Sequence, residues 1–309
     1  MARRGRYAPS PTGRLHLGNA RTALLSWLSI RAVGGHYVMR IEDLDRGRSR
    51  PEFETRVLED LRWLGLDWDE GPDVGGPLGP YRQSECLERY AEAAARLDTY
   101  PCTCTRKEIQ SAASAPHGAT PVYAGTCARH PADPKRDHAL RVRVTDRSYG
   151  HDDPVTGRFE QSLVRDVGDF VIRRRDGEWA YQLAVVVDDA YMQIDEVLRG
   201  ADLLDSTPRQ LFLQDALGYR HPSYIHVPLV LGSDGEKLSK RHGAPDLSAL
   251  REGGADPERV LAALAASAGL IDPSTRRVRA ADLVASFDLA KVTGARTTLP
   301  EDLDFSAAR

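Results

Sequence analysis

Apolar positions in this chain recur with two different periods, and the alternation between them predicts the fold. Arg6 to Ala8 reads as a short strand that runs into Pro9-Ser10-Pro11-Thr12-Gly13, a stretch that no regular element holds. After His16-Leu17-Gly18-Asn19, the residues Ala20, Leu24, Trp27 and Leu28 fall at helical spacing until Gly34-Gly35 stops them. His36 to Ile41 reads as a second strand. Pro51 to Leu64 reads as a helix with Phe53, Val57, Leu61 and Leu64 on one face and Gly65 as its stop. Ser84 to Leu97 follows as a helix carrying Leu87, Tyr90, Ala94 and Leu97 inward. Strands and helices that alternate in this way predict an α/β fold with a doubly wound parallel sheet, its ligands in loops at the carboxyl ends of the strands.

The pattern breaks at Tyr100-Pro101. Cys102 to Asp137 has little periodicity, Leu140 to Val144 alternates as a strand, and Phe170 to Arg175 with Glu178 to Ala180 flank Asp176-Gly177 as a hairpin. Residues 99–180 are therefore expected to form an insertion that splits one α/β domain into 1–98 and 181–245. The second half repeats the earlier grammar: a helix from Tyr181 to Ala190, a strand at Ile194 to Arg199, a helix opened by Ser206-Thr207-Pro208 and closed by Gly218. A strand at Ile225 to Leu231 empties into Gly232 to Gly235 and the basic run Lys237-Leu238-Ser239-Lys240-Arg241. From Leu247 the chain reads helical again, with Val260, Leu261 and Leu264 as an apolar face, which makes 246–309 a helical C-terminal segment.

Composition narrows the function classes. With 309 residues, 41% hydrophobic, 28% charged and a mean hydropathy of -0.44, the chain is expected to be globular and not disordered. No apolar run approaches the ~18 residues of a membrane helix, and the N-terminus lacks the apolar core of a signal peptide, so a cytoplasmic protein is expected. Four cysteines, at 86, 102, 104 and 127, are too few and too clustered for a disulfide framework. A net charge of -3 argues against nonspecific coating of nucleic acid. Locally, residues 1–41 hold seven arginines and no acid, as if to meet an anion, whereas 42–79 hold eleven acids and five arginines.

Three groups of residues carry chemistry. Arg6 to Gly13 followed by His16-Leu17-Gly18-Asn19 at a helix start offers unpaired N–H groups, an imidazole and a glycine open to a phosphate. Lys237, Lys240 and Arg241 lie in a glycine-bounded loop and can neutralise the β and γ phosphates of ATP. Cys102-Thr103-Cys104 with Tyr123 to Cys127 supplies three thiols. These read either as a closed zinc site, with His117 and His130 the conventional candidates for the fourth ligand, or as reduced thiols without metal. Cys86, on a helix face, reads as a small buried hydrophobe.

Taken singly, the first two motifs are also what a strand exit with a capping histidine and a solvated basic loop would show. In this order they resemble the signature pair of class I aminoacyl-tRNA synthetases. The wider string Arg6-Tyr7-Ala8-Pro9-Ser10-Pro11-Thr12-Gly13, with Arg40-Ile41-Glu42-Asp43-Leu44-Asp45, resembles the glutamyl and glutaminyl branch. Asn19, Leu238 and Arg241 depart from the general class I pattern, and all three substitutions occur in this branch.

The resemblance implies a Rossmann-like doubly wound sheet split by an α+β zinc-bearing, acceptor-binding-like insertion, with a small helical, stem-contact-like C-terminal segment. It implies His16, Lys237 and Lys240 as catalytic groups. The ATP contacts would be His16, Gly18, Asn19, Lys237, Lys240 and Arg241, with Mg²⁺ accompanying the ATP. L-glutamate would meet Arg6, Ala8, Ser10, Glu42, Tyr181 and Arg199, and one structural Zn²⁺ would meet Cys102, Cys104, Tyr123 and Cys127. After Arg241 only 68 residues remain, too few for the usual anticodon-reading domains. That length, the Cys-x-Cys with Tyr-x-x-x-Cys, and Val185 where conventional glutamyl enzymes tend to have Asn resemble the shortened paralogues of glutamyl-tRNA synthetase. Those enzymes activate glutamate without tRNA and attach it to queuosine in the anticodon loop of tRNA(Asp). The implied partners are ATP, L-glutamate and queuosine-bearing tRNA(Asp), acting on a monomer. The alternative is the catalytic core of a conventional glutamyl-tRNA synthetase that charges tRNA(Glu).

Overall fold

A computed structural model describes residues 2–105, 107–109, 122–133, 135–231 and 246–294. The chain opens with β1 (Arg4–Tyr7), α1 (Leu17–Arg31), β2 (His36–Met39), α2 (Pro51–Trp63) and α3 (Leu87–Ala95). Segment 99–180 supplies β3 (Thr99–Cys102), β4 (Ala139–Val142), β5 (Ser148–Asp153), β6 (Gly157–Ser162) and β7 (Phe170–Arg173). Then come α4 (Tyr181–Tyr191), β8 (Glu196–Gly200), α5 (Thr207–Leu217), β9 (Ser223–Val227) and α6 (Pro257–Ser267), the labels going to helices of nine residues or more. Four strands form a parallel sheet in the order β2-β1-β8-β9.

Side chains alternate across this sheet and seed two cores. Tyr37, Met39, Leu198 and Ile225 face α1, α2 and α6, where Leu24, Leu28, Leu61, Val260 and Leu264 are buried. Val38, Val197 and Tyr224 face α3, α4 and α5 with Tyr90, Leu183 and Phe212. Helix α1 is buried nearly all round, and it lies so close to β1 that a Cβ on Gly5 would overlap Ile30. Helix α2 begins with Pro51 at its first position and Glu52 and Glu54 in its first turn, which suits the positive end of the helix. The described part of the C-terminal segment packs into the first of these cores through Leu247, Val260, Leu261 and Leu264.

Several expectations shift. The helix expected over 84–97 is shortened to Leu87–Ala95, because Gln83–Glu85 forms a 3-10 turn and Asp43 takes the Ser84 N–H at 2.8 Å. The turn at Asp176-Gly177 is present, with Gly177 at φ 88, but its second arm is not a strand. Only Arg173 and Trp179 bridge there, since Trp179 turns inward onto Tyr90, and β7 pairs with β4 instead. The strand read as 225–231 stops at Val227, where Pro228 has no N–H to donate. A hairpin that the periodicity did not reveal, β5–β6, packs through Tyr149 on Phe212 of α5.

The arginine-rich N-terminus meets the chain's own acids: Arg3 pairs with Glu196, Arg4 with Glu70, Arg6 and Arg40 with Asp189, Arg14 with Asp246 and Arg31 with Asp67 and Asp69. Among the described residues no helix is long and apolar enough to cross a membrane.

Candidate active site

From β1 the chain crosses to β2 on one side, while β8 adds on the other, so the sheet order reverses direction between β1 and β8. Parallel sheets open a crevice at that point, beyond the carboxyl ends of the strands. A cavity of about 840 Å³ lies there. Nine of the residues singled out from sequence line it: Arg6, Ala8, Ser10, His16, Gly18, Asn19, Glu42, Tyr181 and Arg199. Arg6 lies on β1, with Ala8 and Ser10 in the proline-rich exit behind it. His16, Gly18 and Asn19 open α1, Glu42 follows β2, Tyr181 opens α4, and Arg199 lies on β8.

The start of α1 carries no acid in its first turn, and its N-cap residue His16 makes no side-chain capping bond. Its N–H groups and the positive end of its dipole therefore suit an anion in the cavity. Lys237, Lys240 and Arg241 fall outside the described residues. The chain on either side of them converges on this helix start. Val230 lies 3.5 Å from where a Gly18 Cβ would stand, Asp246 bridges to His16, and the Leu247 N–H donates to Leu15 O at 2.9 Å.

Arg199, also in the cavity wall, is 4% exposed. Its Nε donates to His226 Nε2 at 3.0 Å, Nη1 to Gln210 Oε1 at 2.8 Å and to Tyr181 OH at 3.5 Å, and Nη2 to Thr207 Oγ1 at 2.8 Å. Among the described residues no carboxylate stands within ion-pair distance of it. A buried guanidinium held only by neutral acceptors leaves a local excess of positive charge, which an incoming carboxylate would neutralise.

Arg6 and Arg40 occupy the opposite situation. Asp189 Oδ1 accepts from Arg40 Nη1 at 2.7 Å and from Arg6 Nε at 3.4 Å, and Glu42 Oε1 accepts from Arg40 Nη2 at 3.2 Å. Asp188 accepts from Gln83 at 2.8 Å and Tyr90 at 2.7 Å, and lies 3.9 Å from Arg40 Nε. Burial pushes the carboxyls of Glu42 and Asp188 above the ordinary range despite these arginines. Burial opposes the charged form of Asp189 too, but Arg40 and Arg6 outweigh it and hold that carboxyl low. The cavity thus offers a donor-only cation at Arg199 and a carboxylate acceptor at Glu42. That pairing complements an amino acid with an ammonium group and an anionic side chain.

Cys102, Cys104, Cys127 and Tyr123 meet in a separate small core. Tyr123 OH stands 3.5 Å from Cys102 Sγ and 3.7 Å from Cys104 Sγ, and the Cys104 and Cys127 sulfurs are 3.4 Å apart. Zinc bonds of about 2.3 Å to sulfur and 2.0 Å to oxygen give tetrahedral edges of roughly 3.8 and 3.5 Å, so this donor set fits a tetrahedral ion. The Cys127 N–H donates to Tyr123 OH at 2.9 Å, and Arg141 Nε approaches Cys102 Sγ at 3.2 Å, where it can offset thiolate charge. His130 does not join the group, and His117 lies outside the described residues. Cys86 is buried as expected, and burial pushes its thiol up to about 11.

The sequence reading missed His226, Asp153, Thr207 and Gln210, which surround Arg199 from β9, the β5–β6 hairpin and α5. They are isolated polar residues in three distant segments, with no motif to join them.

Residues 3–294 match the family described as tRNA synthetases class I (E and Q), catalytic domain. A protein of Symbiobacterium thermophilum named glutamyl-Q tRNA(Asp) synthetase is 50% identical, covering 96% of this chain and 96% of its own length. A protein of the same name from Deinococcus radiodurans is 54% identical over 84% of this chain and 87% of its own. A solved glutamate-tRNA synthetase from Elizabethkingia anophelis superposes with a TM-score of 0.80 at 28% identity, covering 98% of this chain and 69% of that one. The chain therefore belongs to the class I (E and Q) tRNA synthetase family, and within it to the glutamyl-Q tRNA(Asp) synthetases.

Proposed function

We propose that the protein activates L-glutamate with ATP in the absence of tRNA, and then transfers the glutamyl group to the queuosine base of tRNA(Asp). The observation that carries the amino-acid half is Arg199, a buried cation without a carboxylate partner among the described residues, in the wall of a cavity that Glu42 also lines. The acceptor half is supported by the near-complete mutual coverage with a relative whose name contains that acceptor.

In this reading Arg199 and Tyr181 OH hold the side-chain carboxylate of glutamate, and Glu42 holds its ammonium group. Arg6, Ala8 and Ser10 line the same cavity. The α-carboxylate oxygen attacks the α-phosphorus of ATP in line, the bond to the β-phosphate bridging oxygen breaks, and pyrophosphate leaves. The N–H groups at the start of α1 and His16 stabilise negative charge on the phosphates, and the positive charges of Lys237, Lys240 and Arg241 neutralise the leaving pyrophosphate. Mg²⁺ that arrives with ATP supplies further charge neutralisation. A hydroxyl of the queuosine cyclopentene ring then attacks the glutamyl carbonyl carbon. AMP departs, and the hydroxyl proton is released.

Purified protein should exchange pyrophosphate into ATP when glutamate is present and tRNA is not. Offered labelled glutamate, it should label tRNA(Asp) from queuosine-competent cells and leave tRNA(Asp) from queuosine-deficient cells blank. Equal labelling of both, or labelling of tRNA(Glu), overturns the acceptor assignment in favour of a conventional glutamyl core.

We further assign a structural Zn²⁺ to Cys102, Cys104, Tyr123 and Cys127, where it would crosslink a segment poor in apolar contacts. Elemental analysis should find about one zinc per chain in the wild type and little in Cys104→Ser, with a lower thermal midpoint for the variant. Zinc retention by Cys104→Ser at the wild-type level would contradict the ligand set.

A further inference from the structure

Arg199 is held by a chain of bonds whose proton positions can be assigned. A guanidinium has donors only, so the 3.0 Å contact from Arg199 Nε makes His226 Nε2 the acceptor. The ring proton must then sit on Nδ1, which donates to Asp153 Oδ2 at 2.7 Å. The same oxygen accepts the His226 backbone N–H at 2.8 Å, while Oδ1 accepts the N–H groups of Val155 at 2.8 Å and Thr156 at 3.0 Å. His151, with Nε2 3.7 Å from Oδ2, and these four N–H donors together hold one buried carboxylate ionised against its burial. His226 is fully buried, and its ring stacks on Tyr224.

His151, Asp153 and His226 lie close enough together to bracket a metal ion. The bonding argues otherwise. Both ring nitrogens of His226 are engaged, one of them by a cation, and a second cation beside Arg199 would be repelled. What the arrangement does provide is a neutral imidazole of fixed tautomer between a buried carboxylate and a buried guanidinium. The carboxylate comes from the β5–β6 hairpin of segment 99–180, the imidazole from β9 and the guanidinium from β8.

We propose that Asp153 and His226 are positioning residues of the amino-acid site: Asp153 sets the His226 tautomer, His226 Nε2 fixes the Arg199 fork in the cavity wall, and the β5–β6 hairpin thereby governs glutamate affinity. This rests on the reading of Arg199 as the ligand of the glutamate side chain. It also gives the segment a role in the small-molecule step, apart from any contact with tRNA.

Two substitutions of similar polarity separate positioning from mere packing. In His226→Gln the amide oxygen reaches about as far as Nε2 and can still accept from Arg199. In His226→Asn it stops near the Nδ1 position and cannot. In glutamate-dependent ATP/pyrophosphate exchange, His226→Asn is expected to raise KM for glutamate about tenfold or more, with KM for ATP within about twofold of wild type. His226→Gln is expected to recover most of that loss. Asp153→Asn, which places an amide donor against N–H groups, should move KM for glutamate in the same direction as His226→Asn.

Equal glutamate KM values for the Gln and Asn variants would overturn the proposal, as would parallel losses toward glutamate and ATP. Wild-type protein that shows no glutamate-dependent exchange would overturn the functional reading beneath it. Wild-type exchange with an unmoved KM in His226→Asn would overturn the positioning role alone.

Discussion

Arg199→Gln is expected to lower kcat/KM for glutamate in ATP/pyrophosphate exchange by about a hundredfold or more, while KM for ATP changes less than about threefold. The magnitude follows from losing a buried, charge-assisted pair, on the order of 2–5 kcal/mol. The selectivity follows from place, since Arg199 donates to Tyr181, His226, Gln210 and Thr207, whereas the phosphates are assigned to the opening of α1. Arg199→Lys should restore little. An ammonium cannot serve His226, Gln210, Thr207 and a substrate carboxylate together from one planar fork. Stability should fall only modestly in either variant, because Arg199 has no buried carboxylate to abandon. A glutamate KM unmoved in Arg199→Gln would remove this residue from the site.

The part of the site that follows backbone periodicity is legible in the sequence. The helices that frame it end where glycine adopts a left-handed conformation, at Gly34, Gly65 and Gly218 with φ of 64, 74 and 69, and those stops could be read from the residue type alone. The order of strand, loop and helix then put Ala8, Ser10, His16 and Gly18 on one crevice. The β5–β6 hairpin was not legible for a physical reason. Ser148-Tyr149-Gly150-His151-Asp152-Asp153 is polar at most positions, and its place is set by the tight turn at Gly157 and the bonds to Asp153, not by an apolar stripe. Long-range charge pairing was equally hidden. The seven arginines of residues 1–41 looked like a ligand-facing surface, yet Arg40 finds Asp189 at a separation of 149 residues. Only the strand order β2-β1-β8, with α4 laid against it, brings those two together.

That concealed pairing predicts the largest effect on stability. Arg40 has no exposed surface and stands among three carboxylates, with Asp189 at 2.7 Å, Glu42 at 3.2 Å and Asp188 at 3.9 Å. Arg40→Met fills the volume but leaves those acids buried with only Arg6 and Arg89 nearby, so it should cost about 3–5 kcal/mol and lower the thermal midpoint by roughly 10 °C. The loss should depend on pH in a definite direction. Burial already raises the Glu42 and Asp188 carboxyls, and without Arg40 they rise further above their unfolded values. A carboxyl raised in the folded state takes up a proton more readily there than in the unfolded chain, so its penalty grows as pH rises through the folded value and fades as pH falls. Thermal midpoints of wild type and Arg40→Met, measured at pH 8 and at pH 5.5, should therefore lie farther apart at pH 8. An equal gap at both values would mean that lost packing, and not stranded negative charge, accounts for the defect. Glu42 would then owe its readiness for an ammonium group to something other than the balance with Arg40.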